Sequence, residues 1–541
     1  PPYLTVMKKH YLYLIFAFLL FSLSLQTRAQ SYDLLITHAR IIDGTGNAWY
    51  LGDIGINKGK IAAIGRLAQA KAKQTIDATG LYATPGFIDV HAHMEKSLPE
   101  RAEAQNFLYD GVTSVITGNC GGSEEKMGAF FSQMEKTGIG VNLGSLVGHN
   151  TVRKAVMRTA QRAPTPEELR QMEALVAQAM QQGALGLSTG LIYVPGTFAE
   201  TDEVVALAKV AARYGGVYAS HIRNEANGLF EAVEEAVMIG KEASLPVQIS
   251  HVKISSRNAW GRTEELISKV EAYRRQGIDV TLDQYPYTAS STSLSVLLPS
   301  WTQAGGTDSL RARLSDPVIR SGIKAEMLQT LESVGFSDYE YAVVANCRWN
   351  EAYNGKSITE INRMKNRPAG AEHEAETIMD LMMQVEEGER VQMVYHKMDE
   401  ADVQAFMRYP FTMIARDAGV PEMDKGAPHP RAYGSACRVL GQYVRELGVL
   451  GLEDAVRKMT SLPAQRFRLK ERGLLQEGKA ADILLFDADK VKSNATFEKP
   501  HAYSGGMEYV IVNGIVAIEK GKYTGKRAGQ VLRHQALPAK I

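Results

Sequence analysis

An excess of charge of either sign is the first thing missing from this sequence. Across 541 residues, 61 lysines and arginines face 60 aspartates and glutamates, for a formal net charge of +1. That balance removes the bulk electrostatic case for a nucleic-acid partner or an acidic membrane surface, and no run of like charges marks a tail. Cysteine is scarce too. Three residues, Cys120, Cys347 and Cys437, do not build a disulfide framework, and the odd count leaves at least one thiol free. Long apolar runs are confined to the N-terminus. The stretch 11–25 is shorter than the roughly 20 residues of a bilayer span.

That stretch is a targeting signal by its flanks. Lys8 and Lys9 follow Met7, and Thr27-Arg28-Ala29 closes the stretch with small residues at the −3 and −1 positions. The pattern predicts an export signal over 7–29, cleaved after Ala29, with residues 1–6 upstream of it. No cysteine sits at the cleavage point, so no lipid anchor is expected. The mature protein is expected in the periplasm or outside the cell, without a stable membrane anchor. The full sequence is 45% hydrophobic and 22% charged, an ordinary globular composition. Its length suits one large domain with an appendage, or two to three domains. Cys347 and Cys437 are read as buried small hydrophobes.

Segments 32–44, 53–65 and 74–86 read as short strands with Gly and Asp turns, and the same texture returns at 478–489 and 507–525. Two β-rich ends around an alternating middle predict a small β-sandwich domain assembled from 30–84 and 471–541. Between them, 85–470 offers eight strand candidates: 86–93, 112–120, 140–149, 184–191, 216–223, 246–253, 279–286 and 412–419. Amphipathic helices fall between most of them. Over 165–183, Thr165 is the expected cap, Pro166 the first helical residue, Glu168 the capping-box partner and Gly183 the stop. Over 201–216, Thr201 is the expected cap; 228–245 is a third helix. Eight β–α alternations predict an α/β fold with a closed (β/α)8 barrel of the TIM type. The gap between strands 7 and 8 is too long for a loop. Its helix-like runs at 311–335 and 375–388 predict a small subdomain over about 295–405, either a lid on the barrel mouth or a decoration.

Chemistry concentrates at the strand ends. His91 and His93 close the first strand at i and i+2, on one face. Cys120, His221, His251 and Asp417 each close another strand. Barrel enzymes gather their catalytic groups at this end. Four imidazoles, a thiolate and a carboxylate suffice for one or two zinc-class ions, and Asp417 is placed to act as a base on a metal-activated water. Lys253 lies two residues beyond His251 on the same strand face. Tyr193 follows strand 4, and Tyr285, Tyr287 and Ser291 follow strand 7. Arg431 suits bidentate capture of a carboxylate.

The strings PGFIDVHAH, GVTSVITGNCGGS, LVGHNTVR, GALGLSTGLIYVPG, YASHIRNE, PVQISHVK, DQYPYTASST, HPRAYGS and KMTSLPAQRF together resemble the amidohydrolase superfamily, and within it the N-acyl-D-amino-acid deacylases (D-aminoacylases). GNCGGS discriminates best: relatives with a bridging lysine differ there. The resemblance implies a zinc held tightly by Cys120, His221 and His251, and a second, weaker position formed by His91, His93 and Asp417. It implies Asp417 as general acid/base, and Lys253, Tyr193, Tyr285, Ser291 and Arg431 as substrate contacts. The reaction implied is hydrolysis of an N-acyl-D-amino acid, a small-molecule substrate, to a carboxylate and a D-amino acid. Two departures stand out: Met94-Glu95 where the family has Asp-Asp, and Arg416-Asp417-Ala418 where it has Ser-Asp-Gly. Arg416 either alters the acyl pocket or points into the barrel wall. The competing readings are a dipeptidase or cyclic-amide hydrolase, like isoaspartyl dipeptidase or dihydroorotase, and a catalytically inactive binding barrel.

Overall fold

The computed structural model describes residues 31–67 and 69–534; the predicted export signal at 7–29 lies outside the described residues. No helix among the described residues is long and apolar enough to cross a membrane. The centre is a closed parallel barrel. Its strands are Phe87–Asp89, Val112–Thr117, Asn142–Ser145 continued by Val147–Gly148, Gly186–Gly190, Val217–His221, Val247–Ile249, Val280–Gln284 and Thr412–Ile414. Neighbours pair in parallel around the ring. The third strand is split at Leu146, so its first half pairs with strand 2 and its second with strand 4. The ring closes where Asp417 N–H donates to the His91 carbonyl at 2.8 Å and His93 N–H donates to the Ala418 carbonyl at 3.1 Å. Strands such as Val112–Thr117 are buried at every position, as parallel strands covered by helices must be.

The helices between the strands follow the expected chemistry, with one shift. In Pro166–Gln181, Thr165 accepts from the Glu168 N–H while the Glu168 carboxylate accepts from the Thr165 N–H, and Pro166 opens the first turn. In Thr201–Arg213, Thr201 is not the cap. Glu200, in extended conformation, holds that position, and the Thr201 hydroxyl donates to Glu235 Oε1 at 2.9 Å. Thr201 is itself the first helical residue, and its hydroxyl is oriented toward a charged acceptor on the next helix.

Both ends of the chain build one nine-stranded sheet. The N-terminal strands join the C-terminal ones where Tyr82–Pro85 pairs antiparallel with Ile483–Phe486. Leu34, Ile36, Ile54 and Ile56 share one buried cluster with Ile483, Leu485 and Ile511, so the two halves cover each other's apolar faces. The segment after strand 7 has a core of its own, from Leu294 to Tyr395. Its antiparallel sheet is ordered Ser290–Ser293, Gln392–Tyr395, Ala342–Asn346. The expected single helix over 311–335 is two, Thr307–Ser315 and Pro317–Ser333. Pro317 lacks an N–H and starts a new helix, which the Asp316 side chain caps by accepting from Val318 and Ile319 N–H. The helix Glu400–Arg408 already belongs to the barrel: Asp402 accepts from the Thr263 hydroxyl of a barrel helix at 2.6 Å.

Arg416 points into the barrel wall and away from the mouth. It is buried, its Nη1 lies 3.4 Å from Asp110 Oδ2 and donates to the Asn106 carbonyl at 2.9 Å, and its guanidinium sits 4.2 Å over the Phe107 ring. Asp110 in turn accepts from Ala436 and Cys437 N–H, both at 2.9 Å. A buried ion pair thus ties strand 8 to the helix Arg431–Arg438, which carries Arg431. Cys437 and Cys347 are buried free thiols. Arg416→Ala leaves Asp110 buried without its cation and is expected to cost about 3–5 kcal/mol of stability, read as a lower urea midpoint. Arg416→Met paired with Asp110→Asn should recover a large part of the loss.

Candidate metal centre

Three of the six expected ligands stand just past their strands in a backbone conformation that side chains disfavour. Cys120 has φ 52°, His251 φ 34° and Asp417 φ 53°. Strand 6 ends at Ile249 and strand 8 at Ile414, so the sharp turn that follows aims each side chain back over the barrel axis. Such strain persists where surrounding structure over-determines it, most often at functional sites. His221 is the last residue of its strand, and His91 and His93 flank the bridging residue Ala92.

These turns bring all six groups together. The Cys120 thiol sits 3.2 Å from His91 Nε2, 3.4 Å from His221 Nδ1 and 3.4 Å from His251 Nε2. Donors bound tetrahedrally at about 2.0 Å for nitrogen and about 2.3 Å for sulfur lie about 3.5 Å apart, which matches. Asp417 Oδ1 lies 3.1 Å from His93 Nε2 and 3.7 Å from His91 Nε2. Cys120, His251 and His91 form one cluster of metal-type donors, and His91, His93 and Asp417 a second. His91 borders both.

The electrostatics suit a cation. Burial pushes the Cys120 thiol well above its usual range, and the nearby Asp417 carboxylate adds to this. Burial drives His91 down to about 4 and His221 well below the ordinary imidazole value. These two imidazoles are therefore neutral and present lone pairs at pH 7, and a buried thiol needs a cation beside it to ionise. His91 Nδ1 and His221 Nε2 are buried without a hydrogen-bond partner. One thiol, three imidazoles and this spacing fit zinc.

The expected substrate contacts surround this centre, in part already engaged. Arg431 Nη2 reaches Asp417 Oδ2 at 2.9 Å and donates to the Ser291 carbonyl at 3.2 Å, and the guanidinium lies 4.4 Å over the Tyr285 ring. Asp417 is buried, which opposes its charge, but Arg431 and His91 hold its carboxyl well below the usual carboxylate range. Ser291 meets the site through its backbone; its hydroxyl donates to the Met393 carbonyl at 2.7 Å inside the insertion's sheet. The Tyr193 ring packs against His221, centroids 4.7 Å apart, and its hydroxyl accepts from Thr292 at 3.0 Å. Tyr287 is turned away and donates to the Gly434 carbonyl at 3.2 Å. Beside Tyr193, a cavity of about 400 Å³ opens between Ile192, Val194 and Thr197 of the barrel and Ser295–Gln303 of the insertion.

Two carboxylates that the sequence left unmarked complete the site. One oxygen of Glu225 lies 3.1 Å from His251 Nδ1, 3.6 Å from His221 Nε2 and in contact with the Lys253 ammonium, which also lies 2.8 Å from His251 Nδ1. Burial opposes the Glu225 charge, but Lys253 and His221 hold it well below the usual range. Asp283 Oδ1 accepts from the His251 N–H at 2.8 Å and lies 3.6 Å from His91 Nδ1. Acidic residues in RNE and LDQ carry no pattern that marks them; their role comes from what lies opposite. Carboxylates on the outer nitrogens of metal-binding histidines fix their orientation. Asp283→Asn is expected to weaken zinc binding about 10- to 100-fold, measured by competition with a chromogenic chelator.

The comparisons with known proteins agree with this geometry. A model described as the amidohydrolase family matches residues 74–283 and 358–518. The D-aminoacylase of Alcaligenes xylosoxydans xylosoxydans is 34% identical over 94% of this chain and 99% of its own length. An N-acyl-D-glutamate deacylase from the same organism is 35% identical over 94% and 98%. Among solved structures, the N-acyl-D-glutamate deacylase of Bordetella bronchiseptica, complexed with zinc and a phosphonate mimic of the tetrahedral intermediate, superposes with a TM-score of 0.79 at 32% identity. It covers 93% of this chain and 100% of that one. A hydantoinase from Arthrobacter aurescens, 17% identical with a TM-score of 0.54, shares the fold alone. With its barrel, its donor clusters and these matches along nearly its whole length, the chain belongs to the amidohydrolase family, in its D-aminoacylase branch.

Proposed function

We propose that this protein is a zinc-dependent hydrolase that converts N-acyl-D-amino acids and water to a carboxylate and a D-amino acid. The observation that carries the reading is the meeting of two donor clusters at His91, with Asp417, held charged by Arg431 and His91, in the second. Relatives that cover nearly the whole chain act, by name, on N-acyl-D-glutamate and N-acyl-D-aspartate, and a D-aminoacylase has been solved for the role of its binuclear metal centre.

Cys120, His221 and His251 would hold the tight zinc. His91, His93 and Asp417 would form the second, weaker position. Zinc in such a site polarises a carbonyl and acidifies nearby water. Asp417 supplies the proton traffic. Its carboxylate is kept charged by Arg431 and His91, so it can take a proton from the attacking water. It then returns that proton to the amide nitrogen as the acyl carbon–nitrogen bond breaks. Arg431 and Lys253 are the cations for the substrate's carboxylate. Tyr193 and Tyr285 border the bound amide, and the cavity beside Tyr193 takes part of the substrate beyond it. Ser291 contributes its backbone carbonyl by holding Arg431. The segment 7–29 supports export to the periplasm or the medium, where this chemistry would meet D-residues of cell-wall origin.

The test is a paired assay of N-acetyl-D- and N-acetyl-L-amino acids with the zinc-loaded mature chain, reading released amine. D-selective release is expected. Asp417→Asn should lower kcat by about 10²- to 10⁴-fold, the usual contribution of a general acid/base, with tight zinc retained. Cys120→Ala should lose both tight zinc and turnover. Equal release from D and L series, or none from either with zinc bound, would overturn the reading.

A further inference from the structure

Among the described residues, Lys253, Arg431 and Lys397 are cations around the barrel mouth, and the first two already face a carboxylate. Lys253 is in contact with Glu225, and Arg431 lies 2.9 Å from Asp417. The third is Lys397, which the insertion delivers from the end of its strand Gln392–Tyr395. Among the described residues no carboxylate lies within 4 Å of its ammonium, and the side chain donates no hydrogen bond. The ammonium sits 5.3 Å over the Tyr395 ring. The residue that follows, Met398, accepts at its sulfur from the Tyr285 hydroxyl at 3.8 Å, and its N–H donates to the Thr288 carbonyl at 3.1 Å. The chain around Lys397 is thus pinned onto the same tyrosine that Arg431 covers.

Lys397 is half-buried. Burial lowers its pKa from the ordinary lysine value, and the charges of Glu225 and Lys253 are both close enough to act on it. A cation withdrawn from water without a counter-ion is costly. A residue needed only for packing here would be better apolar, as Tyr395, two positions before, and Met398, the next residue, are. An anion bound beside it would offset that cost.

We infer that Lys397 is a specificity residue that binds a second carboxylate of the substrate, beyond the α-carboxylate. It rests on the deacylase reading above and deepens it: this enzyme would favour dicarboxylate substrates over neutral ones. The second carboxylate has two chemical sources, an acidic D-side chain or an acidic acyl group. A face of the insertion, rather than the barrel, would then set the charge preference. Lys397 does not touch the reacting atoms and moves no proton.

The zinc-loaded chain and its Lys397→Met and Lys397→Arg variants would be assayed on N-acetyl-D-glutamate, N-acetyl-D-aspartate, N-succinyl-D-leucine and N-acetyl-D-leucine. The expected result is that kcat/KM favours a dicarboxylate over N-acetyl-D-leucine. Lys397→Met should lower that ratio about 10- to 100-fold, the loss of one charge-assisted hydrogen bond, through KM, and Lys397→Arg should restore most of it. Loss on the two N-acetyl acids assigns the side chain; loss on the succinyl compound assigns the acyl group. A ratio that Lys397→Met leaves unchanged, or a wild type that prefers N-acetyl-D-leucine, would overturn the inference. If none of these compounds is hydrolysed, the deacylase reading fails. Calorimetric titration of N-acetyl-D-glutamate against N-acetyl-D-leucine then still decides the role of Lys397. A dicarboxylate preference lost in Lys397→Met supports it, and equal or absent binding overturns it.

Discussion

The hydrogen bond from Asp417 N–H to the His91 carbonyl, 2.8 Å long, is the constraint on which the site depends. It closes the barrel, and in doing so it brings Asp417 to His93, 324 positions earlier in the chain. A parallel strand cannot reach its neighbour by a tight turn, so each ligand must be carried there by its own crossover helix. The ring then sets every C-terminal strand end at the same level. The positive φ at Cys120, His251 and Asp417 turns three of them inward, and the hydrogen-bonded ring keeps that strained geometry in place.

Around the ring, charge is buried but rarely alone. Asp417 faces Arg431, Glu225 faces Lys253, and Arg416 faces Asp110. In a low-dielectric interior an unpaired charge is expensive and a paired one roughly neutral, so these pairs are valued more for position than for stability. Arg416 with Asp110 holds the helix that presents Arg431. Glu225 ties Lys253 to His221 and His251, two of the three histidines around Cys120. The departure Arg416-Asp417-Ala418 changes how the wall is tied rather than what the mouth presents, because the arginine side chain leaves the axis. Glu95, at the other departure, accepts from the Thr117 hydroxyl at 2.6 Å and so braces the end of strand 2.

The insertion and the barrel share the mouth. Thr292 donates to the Tyr193 hydroxyl, and Met398 meets Tyr285. The insertion has its own apolar core, so its sequence can change with little effect on the barrel. On the proposed reading the labour is divided: strand ends would supply the donors for zinc, and the inserted sheet and its flanks would border the rest of a substrate.

The sequence by itself determined the element pattern and the ligand types. Continuous apolar runs marked the barrel strands and period-3.6 spacing the helices, Thr165-Pro166 and Glu168 marked a helix start, and His91, His93, Cys120, His221, His251 and Asp417 were legible because each closes an apolar run. Local pattern carries that information, since it depends on neighbours in the chain. Only the tertiary structure decided the rest. Glu225, Asp283 and Lys397 are ordinary polar residues in their own segments and acquire roles from what the closed ring sets opposite them. The same holds for Thr201, whose hydroxyl leaves its helix for Glu235, and for Ser291, whose hydroxyl is spent within the insertion's sheet while its carbonyl serves Arg431. Hydrogen-bond partners and counter-ions are set by distance in space, and distance in space is fixed only when the barrel closes.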